Sequence, residues 1–104
     1  MESRGLHILL LSGGVVLAAT GQGRAQATPP PVVALCAPCH GPDGGSGNVE
    51  VPNLAGQHSI YLYAQLRAFR AGRRKHPDMK GVAGDLTDRE IEQIVVYYST
   101  LPPP

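Results

Sequence analysis

Hydrophobic residues recur at helical spacing in the middle of the chain. Between residues 59 and 71, Leu62, Leu66 and Phe69 lie at i, i+4 and i+7, which places their side chains on one helix face. Ser59 has the side chain of a typical N-cap, and a glycine follows the last turn. The pattern therefore predicts a helix over residues 59–71.

A second helical pattern begins with a strong start signal. Residues 87–90 read Thr-Asp-Arg-Glu, a capping box with threonine at N-cap and glutamate at N3. Leu86 and Ile91 stand at the positions of a hydrophobic staple. The following apolar positions share one face: Ile91, Ile94, Val95 and Tyr98. This helix is predicted to end near Leu101, before three prolines.

The remaining segments predict one short helix and several loops. Residues 32–37 suit a short helix, with Pro31 near its first position. Glycine and proline mark residues 41–47, 48–56 and 73–85 as loops. No stretch alternates like a strand, so we predict an all-α fold of three to four helices around a central feature that the loops also contact.

The N-terminus has the features of an export signal. Arg4 supplies a positive charge, residues 8–19 are apolar, and Ala25-Gln26-Ala27 is an A-x-A cleavage pattern. We predict a signal peptide over 1–27, a single domain over 28–104 and a periplasmic location. The apolar run is shorter than the ~20 residues of a bilayer span, and no span is predicted in the mature chain. An uncleaved membrane anchor is the alternative.

Composition indicates that the domain needs a cofactor. The whole chain has 104 residues, no Trp and one Phe, so its mature part has few large apolar side chains for a core. Domains of this size usually depend on disulfides, a metal or a large cofactor for stability. The balance of 9 Lys+Arg against 8 Asp+Glu lacks the basic excess of nucleic-acid-binding domains.

One motif supplies the candidate chemistry. Cys36-Ala37-Pro38-Cys39-His40 is a C-x-x-C-H sequence, the signature of c-type haem attachment. Two thiols on about one helical turn can form thioethers with both vinyl groups of one porphyrin. The adjacent His40 then lies beneath the ring, and a neutral imidazole is a good iron ligand. The motif predicts one covalent haem c, attached through Cys36 and Cys39.

Two other uses of the motif are less favoured. A thioredoxin-like redox dithiol needs a βαβ context, and no strand is predicted. A structural zinc site needs four ligands at suitable spacing. Cys36, Cys39 and His40 supply three, but adjacent cysteine and histidine side chains fit a tetrahedron poorly.

The sixth iron ligand has two candidates. Met79 is the only methionine of the predicted mature chain, and it lies in the predicted loop before the capped helix. Thioether plus imidazole raises the reduction potential and suits electron transfer. His76, three residues earlier, is the rival ligand, whereas His58 is expected to be a surface residue.

Five pieces of the sequence follow one another in a recognisable order: CAPCHGPDG at 36–44, PNLAGQ at 52–57, YLYAQLRAFRAGRR at 61–74, Met79 and LTDREIEQIVVYYSTL at 86–101. Together they resemble a known family, the class I cytochromes c, and within it the small monohaem bacterial c553/c4-like group. The resemblance implies a small cytochrome c fold with N- and C-terminal helices in contact, His40 as proximal ligand and Met79 as distal ligand. It also implies that the carbonyl of Pro52 accepts the proximal imidazole N–H. Cytochromes of the c4 type have two such domains, whereas this chain has one.

These features favour a non-enzymatic electron carrier that serves redox protein partners: an oxidase, a reductase or a dehydrogenase. Two alternatives remain open: a cytochrome subunit of a larger dehydrogenase, and a haem enzyme or sensor with a displaceable sixth ligand. The basic residues between Arg67 and Lys75 form a solvated helix end, compensate the haem propionates or steer an acidic partner. Tyr61 or Tyr63 is a candidate hydrogen-bond donor to a propionate.

Overall fold

The computed structural model describes residues 5, 8, 10–18 and 28–104. The A-x-A pattern at residues 25–27 lies outside the described residues, so the division into signal peptide and mature domain stays a prediction. In the part of the chain that the structure describes, no helix has the length and apolarity needed to cross a bilayer.

Helices and loops make up the described residues, which contain no strand. The all-α prediction is therefore confirmed. A short 3₁₀ helix precedes four α-helices, and these five elements are Pro31–Leu35 (the 3₁₀ helix), Ala37–His40 (α1), Ser59–Arg70 (α2), Pro77–Ala83 (α3) and Asp88–Ser99 (α4).

The N-terminal helix differs from its prediction. Residues 32–37 do not form one helix, because the 3₁₀ helix ends at Leu35 and α1 begins at Ala37. The backbone N–H of Cys36 donates to the Val33 carbonyl at 2.9 Å, which is the i→i+3 bond of a 3₁₀ turn. A proline in the first turn of each short helix removes only an N–H that would lack an intrahelical partner.

The prediction of a loop over residues 73–85 is wrong, because α3 occupies Pro77–Ala83. Pro77 lies in the first turn, where its missing N–H costs little, and Asp78 interacts favourably with the N-terminal end of the helix dipole. Ala83 is fully buried. Packing against the core thus stabilises a helix that Gly81 and the neighbouring Gly84 disfavour locally.

The start of α2 is also shifted from the expected position. Ser59 is its first helical residue, and His58 occupies the N-cap without a side-chain hydrogen bond. The predicted N-cap role of Ser59 is therefore wrong. The carbonyl of His58 already accepts the first helical bond, from the N–H of Leu62 at 3.0 Å.

The capping box of α4 is confirmed. The N–H of Glu90 donates to Thr87 Oγ1 at 3.1 Å, and the N–H of Thr87 donates to Glu90 Oε1 at 3.0 Å. The helix ends at Ser99, slightly before the predicted end near Leu101, which is buried just beyond it.

The core forms where α2 packs on α3 and α4, and where the 3₁₀ helix packs on α4. The expected contact between N- and C-terminal helices is therefore present, although the N-terminal partner is a single short 3₁₀ helix. The buried hydrophobic residues form one cluster: Val32, Val33, Cys36, Ala55, Leu62, Leu66, Phe69, Ala83, Leu86, Ile91, Ile94, Val95, Tyr97, Tyr98 and Leu101.

Candidate cofactor site

The two thiols lie at either end of the first turn of α1. Cys36 is the N-cap and is buried, whereas Cys39 lies within the helix and is exposed. Burial raises the pKa of the Cys36 thiol to about 11, because the thiolate is poorly solvated there. Both cysteines are unpaired in the described structure, so both sulfurs are available for thioether bonds.

His40 ends α1 with its ring oriented by a hydrogen bond. The side chain is 8% exposed, and Nδ1 donates to the Pro52 carbonyl at 2.8 Å. Because a carbonyl only accepts, Nδ1 carries the proton of this bond, and in a neutral imidazole Nε2 then keeps its lone pair. The neutral tautomer that results is the one that binds metals through Nε2.

A cavity of about 340 Å³ lies beside this histidine. Its wall includes both thiols, the His40 imidazole and the Met79 thioether. Apolar side chains of α2 and α4 also line the cavity: Leu62, Leu66, Phe69 and Ile94. This combination of an apolar chamber, sulfur atoms and an imidazole fits a large, flat, apolar cofactor with a bound metal.

A bare metal ion fits the described residues less well. Within the ranges that the structure describes, no three His, Cys, Asp or Glu side chains converge as a metal site. The two motif cysteines also differ in exposure, since Cys36 is buried and Cys39 is exposed. The donor set therefore suits attachment to the edge of an extended group better than closure around one ion.

Both candidate sixth ligands lie on the cavity wall. Met79 is half-buried in α3 and packs against the core cluster. His76 is exposed at the N-cap of α3, three residues earlier. His58 is exposed at the N-cap of α2 and is not part of the wall. A helix, not a loop, thus brings Met79 into the cavity.

Two tyrosines of α4 hold the segment that follows His40, a contact that the sequence patterns do not predict. Tyr97 Oη donates to the Pro42 carbonyl at 2.8 Å, and Tyr98 Oη donates to the Gly41 carbonyl at 3.3 Å. Their rings meet edge to face, 5.0 Å apart. The sequence did contain one signal for such a contact, because a buried tyrosine usually has a hydrogen-bond partner for its hydroxyl.

The basic residues near the end of α2 have different environments. Arg70 joins α2 to α4, because it donates to the Leu86 carbonyl at 3.1 Å and pairs with Asp88 at 2.7 Å. The Arg67 guanidinium lies over the Tyr63 ring, 5.4 Å from its centroid. In contrast, Arg74 lies on the cavity wall. The basic residues of this helix end therefore differ in their contacts, although all of them except Arg70 are exposed.

The two tyrosines predicted as candidate hydrogen-bond donors to a haem propionate have different positions. Tyr61 is half-exposed and forms part of the cavity wall. Tyr63 does not line the cavity but lies beneath Arg67. The structure thus leaves Tyr61 as the candidate of the pair that faces the cavity.

Comparison with known protein families identifies the type of domain. Residues 31–102 match the family model described as Cytochrome c. The chain belongs to the cytochrome c family. Its cofactor is accordingly one haem c, attached covalently through Cys36 and Cys39.

Two curated bacterial relatives are named as a cytochrome c4 and as an electron acceptor. It is 38% identical over 101 residues to cytochrome c4 of Stutzerimonas stutzeri, covering 88% of this chain and 48% of the relative. It is 42% identical over 79 residues to the thiosulfate dehydrogenase electron acceptor of Thiomonas intermedia strain K12, covering 74% of this chain and 36% of the relative. The chain spans less than half the length of these relatives.

A solved structure supports the fold assignment. The crystal structure of reduced recombinant cytochrome c4 from Pseudomonas stutzeri superposes with a TM-score of 0.60 at 36% identity, covering 64% of this chain and 38% of that chain. A shorter relative, cytochrome c-554(548) of Halomonas halodenitrificans, is 38% identical over 71 residues, which cover 65% of this chain and 86% of the relative. The matching segment therefore makes up most of this shorter relative.

Proposed function

We propose that this cytochrome c is a one-electron carrier of the bacterial periplasm, with haem iron ligated by His40 and Met79. The observation that carries the proposal is the apolar cavity whose wall holds both thiols, the oriented imidazole and the thioether. The relatives named as cytochromes and electron acceptors support the same function.

The side chains of the cavity have separate roles in this proposal. Haem c, when bound, supplies a one-electron couple. Cys36 and Cys39 hold it covalently, and Pro52 keeps Nε2 of His40 available by binding the proton on Nδ1. Met79 completes the His/Met pair, which raises the potential and leaves no open coordination position.

The apolar wall contributes by excluding water. Leu62, Leu66 and Phe69 are each at most 9% exposed, so water has little access between α2 and the cofactor. An environment that neither gains nor loses ligands or water during reduction keeps reorganisation small. On this proposal the chain carries out no bond chemistry on a substrate.

Ligand variants test the coordination directly. We expect the ferric wild-type holoprotein to show the methionine–iron absorption band, and the reduced form to bind carbon monoxide poorly. Met79→Ala abolishes the band and admits carbon monoxide, whereas the matched control His76→Ala retains wild-type behaviour. A band that survives Met79→Ala, or is lost in His76→Ala, would contradict the assignment. Ready carbon monoxide binding by the wild type would favour the haem enzyme or sensor.

Cofactor loading and export need their own measurement. A c-type pyridine haemochrome spectrum and the added mass of one haem are expected for protein recovered from the periplasmic fraction. The mass also locates the processing site and distinguishes cleavage after Ala27 from an uncleaved anchor. A colourless product with free or disulfide-linked Cys36 and Cys39 would remove the basis of the proposal.

A dehydrogenase-bound form is a second candidate. Two observations favour it: the relative named as an electron acceptor for thiosulfate dehydrogenase, and a thiosulfate dehydrogenase structure from Marichromatium purpuratum. This chain is 42% identical to the latter structure and superposes on it with a TM-score of 0.61. The match covers 65% of this chain but 15% of that one. Stoichiometric co-purification with a dehydrogenase would indicate a subunit. Recovery as a separate protein that exchanges electrons with an oxidase, a reductase or a dehydrogenase would indicate a diffusing carrier.

A further inference from the structure

Arg74 is the cationic residue of the cavity. Of the described residues that form the wall, it alone carries a permanent positive charge, and two carboxylates, Glu50 and Asp78, lie on the same wall. A cofactor with its own carboxylates is repelled by both acidic side chains and attracted by the arginine. The wall therefore has one place suited to negatively charged substituents.

The guanidinium of Arg74 is held by two side chains of α2. Nη1 donates to Gln65 Oε1 at 2.6 Å, and the guanidinium carbon lies 4.6 Å from the centroid of the Phe69 ring. Phe69 is buried and Gln65 is half-buried, and both also line the cavity. The planar group is thus oriented before it binds a partner, which reduces the entropy lost on pairing.

The oriented guanidinium keeps donors for a carboxylate. Arginine has five N–H donors, and the Gln65 bond uses one of them. Haem c carries two propionate carboxylates, and arginine pairs with carboxylates through short charge-assisted bonds. Arg73, the preceding residue, is exposed like Arg74 but is not part of the wall. The two adjacent arginines therefore have different environments.

We propose that Arg74 pairs with a haem propionate and raises the reduction potential of this cytochrome c. The inference depends on the proposed electron-carrier function. Reduction adds one negative charge to the haem, so a positive charge fixed nearby stabilises the reduced form more than the oxidised form. Gln65 and Phe69 act as positioning residues for the guanidinium.

The test compares neighbouring charge deletions in the holoprotein. The reduction potential is measured by potentiometric titration for the wild type, for Arg74→Gln and for the matched control Arg73→Gln. Both variants lose one positive charge, so a difference between them reports a local ion pair and not the net charge of the protein. We expect Arg74→Gln to lower the ratio of reduced to oxidised protein at a fixed potential by about threefold to tenfold. Arg73→Gln has a smaller effect, which added salt abolishes. Arg74→Lys retains part of the wild-type potential.

A spectroscopic readout distinguishes pairing from an indirect structural effect. Proton NMR of the ferric protein reports the haem propionate resonances, which we expect to move in Arg74→Gln and to stay in place in Arg73→Gln. Equal potentials for the two Gln variants, or unmoved propionate resonances, would overturn the inference. Failure of the electron-carrier proposal is distinguishable, since it appears in the wild type as a missing methionine–iron band or missing haem.

Discussion

The hydroxyl of Tyr97 offers a sharp test of how α4 supports the haem-attachment segment. Its 2.8 Å bond to the Pro42 carbonyl joins residues 55 positions apart in the chain. Tyr97→Phe removes this hydrogen bond and keeps the ring of a residue that is 7% exposed. The substitution therefore isolates one polar contact between the C-terminal helix and the loop after the C-x-x-C-H motif.

The expected magnitude follows from the geometry of the bond. A hydrogen bond contributes about 0.5–1.5 kcal/mol net, and an acceptor left without a partner in a buried position costs about 1–3 kcal/mol. The contact is partly buried, so we expect Tyr97→Phe to lower the free energy of unfolding by about 1–2 kcal/mol. For a domain of this size each 1 kcal/mol corresponds to ~4–8 °C in Tm.

The assay is guanidinium or thermal unfolding of the haem-loaded protein, followed by helical circular dichroism and by haem absorbance. Tyr63→Phe is the matched control, because the Tyr63 hydroxyl makes no hydrogen bond within the described residues and its ring lies beneath Arg67. Tyr98→Phe is expected to have a smaller effect than Tyr97→Phe, since its bond is longer, at 3.3 Å. Equal stability of Tyr97→Phe and Tyr63→Phe would refute the reasoning.

Three further predictions concern other parts of the fold. Thr87→Ala removes the side-chain half of the capping box and should cost about 1 kcal/mol in denaturant unfolding, whereas Ser59→Ala, which removes no cap bond, should have little effect. Gly44→Ala should lower the yield of folded holoprotein far more than Gly47→Ala. Both glycines have positive φ, but an added Cβ at Gly44 would lie 2.6 Å from a backbone nitrogen, whereas at Gly47 it meets open space. Burial raises the pKa of the Tyr98 hydroxyl above its ordinary value of 10.0, so the unfolded chain loses that proton first and stability should fall as pH rises above about 10. A pH series of unfolding free energies that stays flat above pH 10 would count against this account.

Local signals predicted the elements whose interactions lie within a few residues. Thr87 and Glu90 bond across one helical turn, and the cysteines and His40 form one short motif. In contrast, the sequence pattern missed α3, because Gly81 and the neighbouring Gly84 disfavour a helix and the contacts that stabilise it come from other segments. Ser59 also shows that the preference for serine at the N-cap does not fix where a helix begins, since Ser59 lies one position after the N-cap and is the first helical residue.

The sequence by itself determined the covalent cofactor chemistry, the all-helical composition and the start of α4. Each of these depends on side chains that lie close together along the chain. Only the tertiary structure decided which distant groups meet. It placed Arg74 on the cavity wall but not Arg73, and Tyr61 there but not Tyr63. It also brought Tyr97 to the carbonyl of a residue 55 positions away. Such contacts arise when helices pack to bury apolar surface, and the relative orientation of packed helices depends on the whole core.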